Sequence, residues 1–185
     1  AVPLAVKDLE HKDPEVRARA LKMISAVAGG SSDFDAQLVL PRLSDPAWFV
    51  RLQAAHAIGK LRYSGAVETL GALLSDESWQ VRNAAAAALT RIGDPSIGVL
   101  LQTLRRTDGY AKQTVCEEIQ RTDFTKRLFE HLRQSDGAYY RQSREILETM
   151  ASLNFASPLR QALEETEDSA LQRELGSILG KKETG

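Results

Sequence analysis

The sequence is poor in cysteine, in net charge and in long apolar runs, and each shortage excludes a class of protein. Its 185 residues include one cysteine, Cys116, so an internal disulfide and a cysteine-based zinc cluster are excluded. The formal net charge is −1, which gives no overall field to attract DNA or an anionic membrane. No apolar run approaches the roughly 20 residues that cross a bilayer. We therefore expect no transmembrane segment and a cytoplasmic location.

The chain begins with Ala1 rather than Met, so we expect it to be part of a longer protein. That protein is either cytoplasmic throughout or attached to a membrane by another segment, with this piece as a soluble domain.

Aromatic residues make up only 6% of the chain, whereas alanine and leucine are abundant, and this composition favours helix. Acids recur along the sequence at intervals of 32, 31, 32, 28 and 32 residues. They are Asp13, Asp45, Asp76, Asp108, Asp136 and Asp168. A fixed period of about 20 to 50 residues is the signature of a repeat architecture.

Two segments carry nearly the same phrase: residues 45–58 read DPAWFVRLQAAHAI and residues 76–89 read DESWQVRNAAAAAL. Aligned on Val16, Val50 and Val81, apolar residues recur at spacings that place them on one helical face. Leucine-rich segments alternate with these alanine-rich ones. The pattern predicts a single domain, residues 1–185, of six helix–turn–helix units. The units span about residues 1–30, 31–63, 64–93, 94–121, 122–153 and 154–181, with the loosest connection at residues 29–32.

The motif D-x-x-x-x-V-R-x-x-A-A, followed by an aliphatic residue and glycine, resembles the HEAT repeat. More narrowly, it is similar to the short bacterial HEAT-like repeats of bilin-lyase type. The resemblance implies an all-α fold, a right-handed α-solenoid of about six repeats whose second helices line a concave face. Most proteins of this kind are binding scaffolds, and a minority are enzymes or chromophore lyases.

The repeated acid and arginine of the motif have a structural interpretation. Asp45 precedes Arg51 by six residues, and Asp76 precedes Arg82 by the same distance. An aspartate in the turn can cap the second helix, and the arginine can bond the aspartate of its own or an adjacent repeat, which gives a ladder between repeats. The resemblance implies the same roles. In the first unit, Asp13 and Arg17 are two residues closer together.

Other residues of the second helices are candidates for binding. Two tryptophans follow the turn aspartates and are predicted to stack one repeat apart, where they either pack between turns or anchor a partner. Residues 16–28, 48–62 and 79–92 contain no acid, which predicts a mildly positive concave face. That face is either simply solvated or a groove for an acidic peptide or a phosphate backbone. The candidate contacts are Trp48, Trp79, Arg19, Lys22, His56, Lys60, Asn83 and Arg91.

The sequence contains no catalytic or metal-binding constellation. His11, His56 and His131 lie in different units, no two histidines share a helical metal-ligand spacing, and no His-Glu dipeptide occurs. No phosphate-binding glycine loop is present. We therefore expect neither a cofactor nor an enzyme, but a protein interaction scaffold whose partner is a protein or peptide, with an acidic one favoured.

Two alternatives stay open, namely a nucleic-acid-binding HEAT-like protein and a subunit of a bilin lyase or isomerase. The net charge of −1 argues against nucleic acid, as do the acids of the later second helices. These acids are Glu117, Glu118, Glu145, Glu148 and Glu174.

Overall fold

The computed structural model describes residues 2–27, 34–134 and 137–180. The predicted loose connection at residues 29–32 and the turn acid Asp136 lie outside these ranges. The described chain is helical, and it divides into two compact units, Ala1–Ser96 and Ile97–Gly185. The single-domain interpretation of residues 1–185 stays a prediction.

The first unit contains three helix pairs, each made of a short first helix and a longer second helix. The second helices are α2 (Pro14–Val27), α3 (Trp48–Leu61) and α5 (Trp79–Ile92). The first helices are α1 (Val2–Asp8), a 3-10 helix over Ala36–Ser44, and α4 (Val67–Leu73), which follows the 3-10 turn Ser64–Ala66. This alternation is the one that the sequence predicts.

The segment Ala36–Ser44 forms a 3-10 helix, whereas the leucine-rich pattern predicts an ordinary one. Pro41 lies inside it and explains the difference. Proline has no N–H to donate to the carbonyl four residues earlier, and its ring collides with that carbonyl in an α-helix. The segment nevertheless buries Val39 and Leu43 fully, so it fills the place of a first helix.

Close contact between second helices organises the first unit. Helix α3 packs against α2, against α5 and against the 3-10 helix Ala36–Ser44. Small residues make this possible: a Cβ placed on Gly59 comes within 2.8 Å of the Ala88 Cα. The backbones of α3 and α5 therefore approach to a distance that leaves no room for even one methyl group.

Helix α5 ends at a glycine that no other residue replaces easily. Gly93 has φ 92° and ψ −138°, in a region that side chains with a Cβ rarely adopt. The Gly93 N–H donates to the Leu89 carbonyl at 3.2 Å, and the chain then turns through Asp94–Ser96. The predicted break between the third and fourth helix pairs lies at this point.

The second unit contains three further helix pairs. They are α6 (Ile97–Arg105) with α7 (Gly109–Arg121), α8 (Phe124–Arg133) with α9 (Tyr140–Ser152), and α10 (Ser157–Glu165) with α11 (Ser169–Gly180). Helix α9 packs against α6, α8 and α11. Aliphatic residues of the second helices in this unit, among them Val115, Leu147 and Leu175, are fully buried.

Replacement of Gly59 by alanine tests the close approach of α3 and α5. We expect the Gly59→Ala variant to lose about 1 to 3 kcal/mol of unfolding free energy, because the added methyl group meets backbone rather than a side chain that can rotate away. Urea denaturation followed by circular dichroism measures the change.

The matched control is Gly176→Ala in α11, where an added Cβ meets nothing within 4 Å. There we expect a gain of up to about 1 kcal/mol, since alanine is the better helix former. Equal effects of the two substitutions would contradict the close approach.

Candidate binding surface

Paired arginines and aspartates join successive helix pairs in the first unit. Arg17 of α2 donates from Nε and Nη2 to both carboxylate oxygens of Asp45, at 2.7 and 2.8 Å. Arg51 of α3 binds Asp76 in the same way, at 2.8 and 2.9 Å. Each arginine therefore reaches forward to the turn of the following pair.

The same arginines also bind the backbone of their own turn. Arg51 donates from Nη1 to the carbonyl of Asp45 at 2.9 Å, and Arg82 donates from Nη1 to the carbonyl of Asp76 at 2.8 Å. One guanidinium thus fixes both the turn that precedes its helix and, for Arg17 and Arg51, the turn of the next pair. We call these groups the arginine ladder.

The aspartates do not cap the second helices in the way that the sequence predicts. Asp45 Oδ1 accepts from the N–H of Ala47 at 3.0 Å, and Asp76 Oδ1 accepts from the N–H of Ser78 at 2.9 Å. Ala47 and Ser78 are themselves the residues that precede the first helical turn. The carboxylates therefore close the turn rather than satisfy the first amides of the helix, because they lie two residues too early to reach them.

His11 takes the aspartate's place in the first helix pair. It lies six residues before Arg17, whose Nη1 donates to the His11 carbonyl at 2.8 Å. His11 Nδ1 accepts from the N–H of Asp13 at 3.0 Å, which is the same bond to the second following amide that the ladder aspartates make. The spacing of the motif is therefore kept, and Asp13, which the sequence alignment selects, is not the equivalent residue.

Burial and hydrogen bonding act in opposite directions on the ladder carboxylates. Burial on its own raises the pKa of Asp45, whose side chain is 1% exposed, but the bonds from Arg17 and the Ala47 N–H outweigh it. The pKa of Asp45 therefore lies below its usual value. Arg51 and the Ser78 N–H lower the pKa of Asp76 against the same cost of burial. Both groups are charged at neutral pH.

The two tryptophans are exposed at the start of their helices. Trp48 is 41% exposed and Trp79 is 59% exposed, and each is the first residue of its helix. Trp48 meets Phe49 edge to face, with ring centroids 5.9 Å apart. No ring contact joins the two indoles in the described part of the chain, so the predicted stacking is wrong.

Three other candidates come together near the opposite ends of α3 and α5. His56 and Lys60 lie one turn apart on α3, and Arg91 lies on the adjacent α5. Partial burial lowers the pKa of His56, and the positive charges of Arg91 and Lys60 lower it further. Lys60 and Arg91 are exposed and make no ion pair within the described residues. We call His56, Lys60 and Arg91 the basic cluster.

The remaining candidates are less closely placed. Asn83 is exposed on α5, one turn after Trp79. Arg19 and Lys22 are exposed on α2, but no described contact joins them to the basic cluster. Helix α2 also begins earlier than predicted, at Pro14, and therefore includes the exposed acid Glu15. Proline suits the first helical position. The expectation of an acid-free second helix holds for α3 and α5 but is wrong for α2.

Two of the acids of the later second helices, Glu145 and Glu174, connect helices of the second unit. Arg105 of α6 binds both carboxylate oxygens of Glu145 on α9, at 2.7 and 2.6 Å. Arg144 of α9 binds Glu174 of α11, and Tyr140 donates to the same carboxylate at 3.0 Å. The motif spacing does not predict these bonds, because their arginines occupy positions outside the motif.

The second unit also contains a cleft of about 630 Å³ that the sequence does not predict. Phe129 and Pro158 contribute apolar surface, and Arg121 and Lys126 contribute charge. Both bases are paired locally, Arg121 with Glu118 at 2.7 Å and Lys126 with an acid one turn away at 2.8 Å. The cleft therefore offers little free charge to select a ligand.

Among the residues described, no three histidine, cysteine or acidic side chains are grouped so that they could hold a metal ion. Cys116 is buried on α7, and burial raises the pKa of its thiol to about 12. A protonated thiol is a weak nucleophile at neutral pH. No helix in the described ranges is both long and apolar enough to cross a membrane.

The geometry defines the class of this protein: all-α, built from repeated helix pairs that arginines and aspartates join in the first unit. The sequence profile of the HEAT repeats family matches residues 36–120, which include the two full copies of the motif. The predicted resemblance to HEAT repeat proteins and the predicted all-α repeat fold are therefore confirmed. No curated protein matches the chain in sequence.

Several solved structures have a similar fold. The complex of CpcE and CpcF of phycocyanin lyase from Nostoc sp. PCC7120 matches with a TM-score of 0.56 and 20% identity, over 97% of this chain and 76% of that one. The archaeal HEAT-like repeats protein from Thermococcus onnurineus NA1 matches with a TM-score of 0.53 and 15% identity, over 97% and 85%. A designed armadillo repeat protein matches with a TM-score of 0.51 and 19% identity, over 97% and 99%. At these identities the likeness concerns the fold alone.

Loss of a ladder arginine should be costly. We expect Arg51→Gln to lower the unfolding free energy by about 3 kcal/mol, because it leaves the Asp76 carboxylate, only 7% exposed, without its charged partner. Thermal and urea unfolding measure the loss.

The control is Arg105→Gln, which removes an equally short pair whose side chains are 62% and 41% exposed. Its effect should be much smaller, since solvent screens exposed pairs. Similar losses in both variants would contradict the structural role of the ladder.

The depressed pKa of His56 makes a separate prediction about pH. In the unfolded chain His56 takes up a proton at a higher pH than in the folded protein, so its contribution to stability is complete above about pH 6.5 and declines as the pH falls. We expect wild type to lose more unfolding free energy than His56→Gln between pH 7.5 and pH 5. Urea denaturation at the two pH values measures the difference, and the ladder carboxylates, which titrate lower, do not interfere. Identical pH dependence in both proteins would rule out this contribution.

Proposed function

We propose that this chain is a non-catalytic scaffold that binds a partner protein or peptide on the exposed face of its second helices, the face predicted to be concave. The repeat fold is typical of protein-binding scaffolds. The observation that carries the proposal is the exposure of Trp48 and Trp79 beside an acid-free surface of α3 and α5. We place the binding surface in the first unit and define it by the two tryptophans and the basic cluster.

Exposed tryptophans at equivalent positions favour a binding role. A tryptophan side chain buries a large apolar area when a partner covers it, and tryptophan is enriched among the residues that dominate interface energies. Trp48 and Trp79 begin neighbouring helices, so one partner segment can cover both. Asn83, one turn beyond Trp79, adds an exposed amide that can donate and accept hydrogen bonds.

Within helices α3 and α5 the charge is of one sign, although the exposed acid Glu77 lies in the turn two residues before Trp79. Helices α3 and α5 contain no acid, and the ladder bond to Asp76 occupies Arg51. The positive charge that a partner meets on these helices therefore comes mainly from Lys60 and Arg91. Arg19 and Lys22 extend the positive surface onto α2, which also presents Glu15.

Paired substitutions test the surface. Immobilised wild-type chain, a Trp48→Ala plus Trp79→Ala variant and a Lys60→Glu plus Arg91→Glu variant are exposed to an extract of the source cells, and bound proteins are quantified by mass spectrometry. We expect a partner whose recovery falls at least about tenfold on both variants, because each pair removes contacts from the centre of the interface. The purified partner is then titrated against each chain.

The charge control is Lys7→Glu plus Lys12→Glu, which makes the same change in net charge at exposed positions on α1 and the turn after it. Its partner recovery should equal that of wild type. If every protein recovered by wild type is recovered equally by the tryptophan and cluster variants, this surface is not the binding site.

A further inference from the structure

We propose that the surface takes an extended, acidic segment of the partner, with an apolar side chain at the tryptophans and a carboxylate between Lys60 and Arg91 of the basic cluster. The inference rests on the proposed function and makes it specific, because it assigns the chemistry and the spacing of the ligand. The geometry of α3 and α5 carries it.

The close approach of the helices brings the two cations together. Gly59 and Ala88 are in contact, since a Cβ added to Gly59 would lie only 3.0 Å from the Ala88 Cβ. Lys60 follows Gly59 directly, and Arg91 lies three residues after Ala88. No side chain separates the backbones there. Lys60 and Arg91 therefore leave their helices at similar positions along the helix axes, and both side chains can reach one anion.

No acid among the described residues pairs with these cations. Arg51 of α3 pairs with Asp76 and Glu77, whereas no ion pair found in the described ranges involves Lys60 or Arg91. Like charges close together repel, and a bound carboxylate relieves that repulsion while it accepts hydrogen bonds from both groups. Partial burial and the two neighbouring cations lower the pKa of His56, so at neutral pH this histidine adds little positive charge to the cluster.

The distance along the helices sets the spacing in the ligand. Trp48 and Lys60 are twelve residues apart on α3, and Trp79 and Arg91 are twelve apart on α5. At 1.5 Å per residue, each pair spans about 18 Å along the axis. Twelve residues at 3.6 per turn also place the second position about 120° round the helix from the first, so the ligand crosses the helix surface as well as following its axis. An extended chain covers about 3.3 Å per residue, so the apolar anchor and the acid should be at least five or six residues apart in the ligand.

A peptide fits this surface better than a nucleic acid. Nucleic-acid binding draws most of its affinity from many phosphate contacts. Here two cations form a single compact site, and the rest of the two helical rows is neutral or aromatic, with Leu52, Asn83 and Ala87 between the ends. One carboxylate with a distant apolar group matches that arrangement.

Peptide selection tests the inference. A phage library of random 16-residue peptides is selected on the wild-type chain. The selected peptides are then titrated by fluorescence anisotropy against wild type, Lys60→Gln plus Arg91→Gln, Trp48→Ala plus Trp79→Ala, and the control Lys7→Gln plus Lys12→Gln. We expect enrichment of Asp or Glu at least five or six positions from Trp, Phe, Leu or Ile. Affinity should fall at least about tenfold in the first two variants and stay unchanged in the control.

The outcomes separate this inference from the proposed function. Selected peptides that lack an acid and lose affinity only in the tryptophan variant overturn the inference and leave the binding surface intact. Peptides insensitive to both variants overturn both. Failure to select any peptide overturns the inference, while partner capture decides the proposed function. Nucleic-acid binding is tested with a 20-base-pair DNA duplex in 50 mM NaCl. If the duplex binds wild type and loses affinity for the Lys60→Gln plus Arg91→Gln variant, the inference is overturned in favour of nucleic acid.

Discussion

The bidentate bond from a helix arginine to the next turn's aspartate is the interaction on which the first unit depends. Arg51 binds Asp76 through two short bonds and holds the carbonyl of Asp45 with a third. Two turns and one helix are thereby fixed by a single side chain. An isolated helix pair leaves an apolar face uncovered, so the accuracy with which one pair meets the next decides whether that face is buried. The planar guanidinium gives direction to that contact in a way that lysine does not.

Much of this arrangement follows from the sequence because it repeats. The phrase in residues 45–58 and 76–89 fixes the helix periodicity and the position of the ladder arginines. The sequence does not reveal which atoms the aspartates bind. A shift of two residues along the chain decides whether the carboxylate closes the turn or bonds the first amides of the helix. Nor does it identify His11, because alignment by residue type selects Asp13, whereas the backbone keeps the six-residue distance to Arg17. Position in the turn matters more here than chemical identity.

The candidate surface was harder to predict than the fold for a physical reason. Exposure of Trp48 and Trp79 follows from their place at the start of helices whose inward positions are taken by valine and alanine, but ring contact depends on the distance between helix axes. Convergence of Lys60 with Arg91 likewise depends on the approach at Gly59, which a one-dimensional pattern does not contain. The role of two later acids was also not predictable. By their sequence positions Glu145 and Glu174 count as charge on the second helices, whereas in the structure they bond neighbouring helices.

The ladder and the proposed binding surface depend on the same packing. Arginines that point toward the turns are occupied by aspartates, so the charge left on the outer face comes from positions outside the motif, chiefly Lys60 and Arg91. The contact of Gly59 with Ala88 sets the separation of those two positions before any partner arrives. A surface that is already ordered loses little conformational freedom on binding, and more of the contact energy remains as affinity. Changes that loosen the α3–α5 contact should therefore weaken binding even when every residue of the surface is kept.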